Sequence, residues 1–71
     1  MLLNPKTIGR EVRRRRRSMK KSQEWLAEAI DTSTRTICNI ETGAVIPSLQ
    51  TAVNLAEGFD CSVDELIGKQ E

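Results

Sequence analysis

Residues 22–43 read Ser22-Gln23-Glu24-Trp25-Leu26-Ala27-Glu28-Ala29-Ile30-Asp31-Thr32-Ser33-Thr34-Arg35-Thr36-Ile37-Cys38-Asn39-Ile40-Glu41-Thr42-Gly43. This stretch predicts two short helices. Ser22 is a good N-cap for one that runs to about Ile30, with Leu26 and Ile30 at i and i+4. Asp31-Thr32-Ser33 breaks the pattern, and Ser33 caps a helix from Thr34 to Thr42 whose inner face is Ile37 and Ile40. Gly43 suits the left-handed residue that follows a helix end. About three residues join the two helices, too few to lay them antiparallel, so they are held at a steep angle. Ala27, small and beside Leu26, allows them to cross closely.

One side of the second of these helices has no apolar residue to bury. It carries Ser33, Thr34, Arg35, Asn39 and Thr42, all short or planar hydrogen-bonding groups. A planar guanidinium matches guanine O6 and N7, and a carboxamide matches adenine N6 and N7. The alternative is an ordinary solvated face, since any exposed helix side is polar.

Outward from this pair the pattern stays helical. Asn4-Pro5 opens a first helix over about residues 5–18, Pro being tolerated in a first turn. Ile8 and Val12 form its apolar face, which Met19 extends, and Arg15 sits on that stripe with a stem that can pack. After the connector Ala44 to Pro47, Ser48 caps a fourth helix with Leu49, Ala52, Val53 and Ala56 at i, i+3, i+4 and i+7. Ser62-Val63-Asp64-Glu65 has the spacing of a capping box and opens a last short helix with Leu66 and Ile67. No alternating strand pattern and no Asn-Gly or Asp-Gly turn competes. The fold expected is all-α, five helices in a single domain over residues 1–71, without internal repeats.

Composition narrows the function. The chain has 71 residues, 38% of them hydrophobic, and Trp25 and Phe59 are its only aromatic rings. A domain near this size buries only about 60% of the surface its unfolded chain exposes, so a deep substrate cleft is not expected. With neither His nor Tyr, catalysis lacks its usual acid–base group and metal ligand; no enzyme activity, metal or cofactor is expected. No apolar run approaches the roughly 20 residues needed to cross a bilayer, and Met1-Leu2-Leu3 is too short for a leader core. Cys38 and Cys61 match no metal-ligand spacing and read as free thiols of a reducing cytoplasm.

The net charge of +1 hides an asymmetry. Residues 1–21 hold nine cations against Glu11 alone, a local charge of +8, and residues 22–71 hold Arg35 and Lys69 against nine acids, a local charge of −7. The N-terminal element can therefore attract a polyanion that the rest repels. An arginine run can be a solvated helix face, but five in succession at Arg13–Arg17 exceed what solubility needs and imply contact with an anionic surface.

Taken together, Ser22-Gln23-Glu24-Trp25-Leu26-Ala27, Ile30, Ser33, Ile37, Ile40-Glu41-Thr42-Gly43, Pro47-Ser48-Leu49, Leu55-Ala56 and Ser62-Val63-Asp64-Glu65-Leu66 resemble the lambda-repressor-like (Cro/repressor) helix-turn-helix family over about residues 8–67. The resemblance implies a compact five-helix DNA-binding domain whose third helix enters the major groove of duplex DNA. It implies base contacts from Gln23, Thr34, Arg35 and Asn39, Gln23 reaching either a phosphate or a flanking base. Ser33 and Thr42 are phosphate-contact candidates, Thr42 through the resemblance. Arg16 and Glu41 match a structural ion pair between the first and third helices, which gives a glutamate at an unfavourable helix C-terminus a partner. Arg13, Arg14 and Arg17 are left to neutralise phosphates.

The sequence also departs from that family. Asp31 and Asp60 stand where glycine is usual in a left-handed turn. Gly58 weakens a helix by about 1 kcal/mol relative to alanine. Lys21 and Arg15 replace aliphatic residues. Ala44-Val45-Ile46 is apolar where basic residues are usual, which fits a dimer contact, a partner surface or local packing. Trp25 is either half-buried packing or an edge near the DNA backbone.

The function expected is a sequence-specific double-stranded DNA-binding regulator, a repressor acting on a (pseudo)palindromic operator as a homodimer. One short helix reads too few bases alone, and two-fold partners read half-sites about a turn apart. Phe59, Val63, Leu66, Ile67 and the Val45-Ile46 loop are candidates for the dimer interface. The alternative is a protein-interaction module of the same fold, antitoxin-like or anti-repressor-like, which the acidic C-terminal half and the apolar loop favour. A membrane-surface helix at residues 5–21 has only Ile8, Val12 and Met19 to insert, too little apolar area.

Overall fold

The computed structural model describes residues 3–68; Met1, Leu2, Lys69 and Glu71, which enter the leader and charge readings, lie outside them. Five helices follow in order: α1 (Pro5–Ser18), α2 (Gln23–Ala29), α3 (Thr34–Glu41), α4 (Leu49–Phe59) and α5 (Val63–Ile67). No strand occurs among the described residues.

Every helix starts on a side chain that accepts orphan backbone N–H groups. Asn4 Oδ1 accepts from the N–H of Lys6 and Thr7 at 3.0 and 3.2 Å. Ser22, Ser33 and Ser48 accept from Trp25, Thr36 and Thr51. At α5 the box closes both ways: Glu65 N–H donates to Ser62 Oγ, and Ser62 N–H donates to the Glu65 carboxylate.

Four helices end in the same way. Lys20, Asp31, Gly43 and Asp60 adopt φ of +58°, +58°, +81° and +56°. In each case the next residue's N–H donates to a carbonyl five residues back, at Arg16, Ala27, Asn39 and Ala56, which satisfies the last turn's carbonyls. Asp31, Gly43 and Asp60 are the left-handed positions expected from the sequence. Lys20 was not anticipated, and it changes the fate of Met19: the chain leaves the helix axis there, so Met19 lies exposed instead of extending the apolar face.

The core gathers Ile8 and Val12 of α1, Leu26 and Ala27 of α2 with Ile30, Ile37 and Ile40 of α3, Ala52 and Leu55 of α4, and Leu66 of α5, with Trp25, Phe59, Cys61 and Ile67 packed half-buried against it. Each fully buried aliphatic contributes about 1.5–3 kcal/mol. Two expectations are corrected. Leu49 is 78% exposed: as the first residue of α4 it precedes the turn that faces the core, and Ala52, Leu55 and Ala56 form the buried side instead. Leu66 is fully buried, closing the floor between α1 and α4, so it is not available to a dimer interface.

Candidate nucleic-acid interface

The third helix is held on one side and open on the other. Ile37 and Ile40 are buried, while Thr34, Arg35, Cys38 and Thr42 are exposed and Asn39 is half-exposed. Below it α1 approaches backbone to backbone. A Cβ on Gly9 would collide with the carbonyl oxygen of Ile40 and stand 2.7 Å from that of Glu41, so glycine lets α1 sit directly against the C-terminal end of α3.

That end carries the one buried carboxylate among the described residues. Arg16 Nε donates to Glu41 Oε2 at 2.7 Å and Arg16 Nη2 to Glu41 Oε1 at 3.0 Å, a bidentate pair. Arg16 Nη1 donates to the carbonyl of Lys21 at 2.8 Å, which ties the start of α2 into the same cluster. Gln23 Nε2 donates to Glu41 Oε1 at 3.1 Å, and Arg13 Nε lies 3.6 Å from that oxygen. Burial pushes the Glu41 carboxyl up, but the hydrogen bonds from Arg16 and Gln23 and the charges of Arg16 and Arg13 outweigh it and hold the carboxyl below its usual range. Three helices thus meet on one ionised group at the root of α3.

The arginine run divides by role. Arg14 is paired with Glu11, Nη2 to Oε2 at 2.6 Å, and Arg15 bridges Glu11 at 2.6 Å and Glu65 at 3.7 Å. The hydrogen bond from Arg14 is the main reason that Glu11 lies below the usual carboxylate range, with a smaller one from Arg15 and against a burial penalty. Arg10, Arg13, Arg14 and Arg17 line one open groove of about 430 Å³ on the outer face of α1. Arg10 and Arg17 make no ion pair among the described residues.

Some candidate groups already have intramolecular partners. Ser33 Oγ caps α3 and hydrogen-bonds to Thr36 Oγ1 at 2.9 Å. Thr42 Oγ1 donates to the Asn39 carbonyl at 3.3 Å. Trp25 packs half-buried against the core with Lys21 Nζ 5.1 Å from its ring centre, a cation–π contact. The Gln23–Glu41 and Arg13–Glu41 contacts were not legible beforehand, since they join residues from three different helices. Cys38 also escaped notice, although its place one turn after Thr34 puts it on the exposed side.

Near the connector, Val45 and Ile46 are 43% and 45% exposed. Leu3, Ile46, Pro47, Leu49, Val63 and Ile67 border a shallow apolar groove. No helix of the described residues is long and apolar enough to cross a membrane.

Three comparisons bear on this architecture. None of the curated proteins matches the sequence significantly. Among solved structures, the chain is similar to the restriction-modification controller protein C.AhdI from Aeromonas hydrophila (27% identity over 87% of this chain and 94% of that one, TM-score 0.83). It is similar also to the P22 c2 repressor, solved in complex with a synthetic operator (27% identity, 84% and 91% covered, TM-score 0.82). ComR from S. thermophilus matches at 27% identity over 87% of this chain but 21% of its own length, TM-score 0.80. The model of the helix-turn-helix family matches residues 12–66. With its paired helices α2 and α3, its exposed polar face and that match, the chain belongs to the helix-turn-helix family of the Cro/C1 type, whose members are DNA-binding transcriptional regulators.

Proposed function

We propose that the protein is a sequence-specific repressor that binds a (pseudo)palindromic double-stranded operator as a homodimer, with α3 in the major groove. The observation that carries this is the division of α3 into a face sealed by Ile37 and Ile40 and a face offering Thr34, Arg35 and Asn39. Arg35 reads guanine through its bidentate guanidinium. Thr34 and Asn39 read neighbouring bases. Gln23, with one amide N–H on Glu41, has a second for a phosphate or flanking base. Ser33, Thr42, Arg13, Arg14 and Arg17 meet phosphates, and Arg16 with Glu41 fixes the angle of α3. The complex of P22 c2 with an operator supports this reading.

The dimer draws on Val45, Ile46, Leu49, Phe59, Val63 and Ile67. The exposed apolar connector also favours a second reading, a protein-interaction module. Selection of bound duplexes from a random pool, followed by titration at two salt concentrations, separates them. A two-fold motif and a steep salt slope are expected; salt-independent or absent binding would overturn the DNA-binding reading.

A further inference from the structure

Glu41 gathers donors from two other helices on a single oxygen. Arg16 Nε occupies Oε2, while Oε1 accepts from Arg16 Nη2 at 3.0 Å and from Gln23 Nε2 at 3.1 Å, with Arg13 Nε 3.6 Å from the same atom. Arg16 is fully engaged, since its Nη1 also donates to the Lys21 carbonyl. Arg13 and Gln23 are not. Gln23 keeps a second amide N–H, and Arg13, with 46% of its side chain exposed, keeps both Nη groups.

This leaves two planar donor groups side by side, each held at one edge. The Glu41 side chain is fully buried, so the edges that remain lie on the solvent side. Two donors that both reach one oxygen are close enough for a single tetrahedral anion to bridge them at ordinary N–H···O distances. Charge favours such a ligand. Glu41 is the one carboxylate in ion-pair contact with Arg13 or Arg16 among the described residues, so two guanidiniums face a single negative charge; Glu24 acts on Arg16 only from farther away. The other outer arginines lack this arrangement: Arg14 is neutralised by Glu11, and Arg17 has no ion-pair partner among the described residues to hold it in place.

We propose that Arg13 and Gln23 form one clamp on a single backbone phosphate in each half-site, pre-set by Glu41 Oε1. The inference rests on the DNA-binding reading above. It assigns Gln23 to a phosphate instead of a flanking base, and it gives Arg13 and Gln23 the same phosphate. A buried acid thereby supports anion binding: both side chains are already held in the free protein, which reduces the rotamer freedom lost on binding.

The test uses the full chain and the duplex it selects from a random pool, synthesised with a neutral methylphosphonate at one linkage at a time. Wild-type binding should weaken about tenfold at the clamp's linkage. Arg13→Ala and Gln23→Ala leave the buried Arg16–Glu41 pair intact, and circular dichroism checks that helix content is kept. Each variant should bind the unmodified duplex more weakly, and the same methylphosphonate should then cost each less than about threefold. Arg13→Ala should also reduce the salt slope by about one, whereas Gln23→Ala removes no charge and should leave it unchanged. Base preferences should match the wild type in both. If the wild type has no such linkage, if either variant stays fully sensitive at it, or if Gln23→Ala alters a base preference, the clamp is overturned while operator binding stands. If the wild type selects no motif, the DNA-binding reading falls and this inference falls with it.

Discussion

Arg16 and Glu41, twenty-five residues apart in the chain, meet as a buried bidentate ion pair that joins the last turn of α1 to the last residue of α3. Removing one partner of a buried pair costs up to about 3–5 kcal/mol; here Gln23 and Arg13 would still face Glu41, and the Lys21 carbonyl would still face Arg16. Replacing both by apolar groups is often close to neutral. Arg16→Ala and Glu41→Ala should each lower the melting temperature by at least about 10 °C, at roughly 4–8 °C per kcal/mol for a domain of this size. The double variant R16M/E41L should recover most of that loss. Thermal melts of the four proteins check this; additive losses in the double variant would show that the two groups do not act as a pair.

The same carboxylate sets an acid limit. Glu41 is held below its ordinary value near 4.5, so the unfolded chain takes up its proton more readily than the folded one. Its contribution is therefore fully present above the ordinary value and is lost as pH falls through the lower folded one. Glu11 and Glu65 are shifted the same way. Urea midpoints should stay level from pH 7 to about 5 and fall below that. In Glu41→Gln the midpoint should start lower and the acid slope should be shallower, without vanishing.

Two glycines inside helices should respond to alanine with opposite signs. At Gly9 a methyl would strike the Ile40 and Glu41 carbonyls, which are backbone and cannot turn aside. Overpacking costs about 1–3 kcal/mol, against the ~1 kcal/mol that alanine returns in helix propensity. Gly58 is exposed, and its nearest obstacle is Ile30 Cγ2 at an ordinary 3.8 Å. Gly9→Ala should destabilise and weaken DNA binding by displacing α3, and Gly58→Ala should stabilise by up to about 1 kcal/mol. Denaturation curves and one binding isotherm decide both.

Three arginines should give three different readouts in DNA binding. Arg35→Ala should relax one base pair of the selected motif, at about 1–3 kcal/mol of discrimination. Arg17→Ala, which removes an exposed cation without an ion-pair partner among the described residues, should weaken all sequences alike and reduce the salt slope by about one. Arg14→Ala should do less, because Glu11 already neutralises that guanidinium. Equal and uniform losses in all three would mean that Arg35 is not a reader.

Much of this was written locally in the sequence. Ser22, Ser33, Ser48 and Ser62 announce their helices within three residues, whereas the left-handed turns at Asp31 and Asp60 were legible only through the family resemblance, which has glycine there. What stayed hidden depends on distance. Leu49 and Met19 fit an apolar stripe by spacing, but each sits at a helix end, where the turn that would carry it inward has not begun or has already closed. Gly9 reads as a weak helix residue until the carbonyls of α3 are known to lie above it. The Glu11 pairs of Arg14 and Arg15 could be foreseen from i, i+3 and i, i+4 placement; the reach of Arg15 to Glu65 could not. The link from Arg13 and Gln23 to Glu41 could not, since no spacing rule connects three separate helices.

Because each rod carries its own starter side chain and most carry their own stopper, secondary structure can nucleate anywhere along the chain without first closing a long loop. Helical domains fold within about microseconds to milliseconds. What remains for a slower, collective step is to seat α1 against the far end of α3 and against α5.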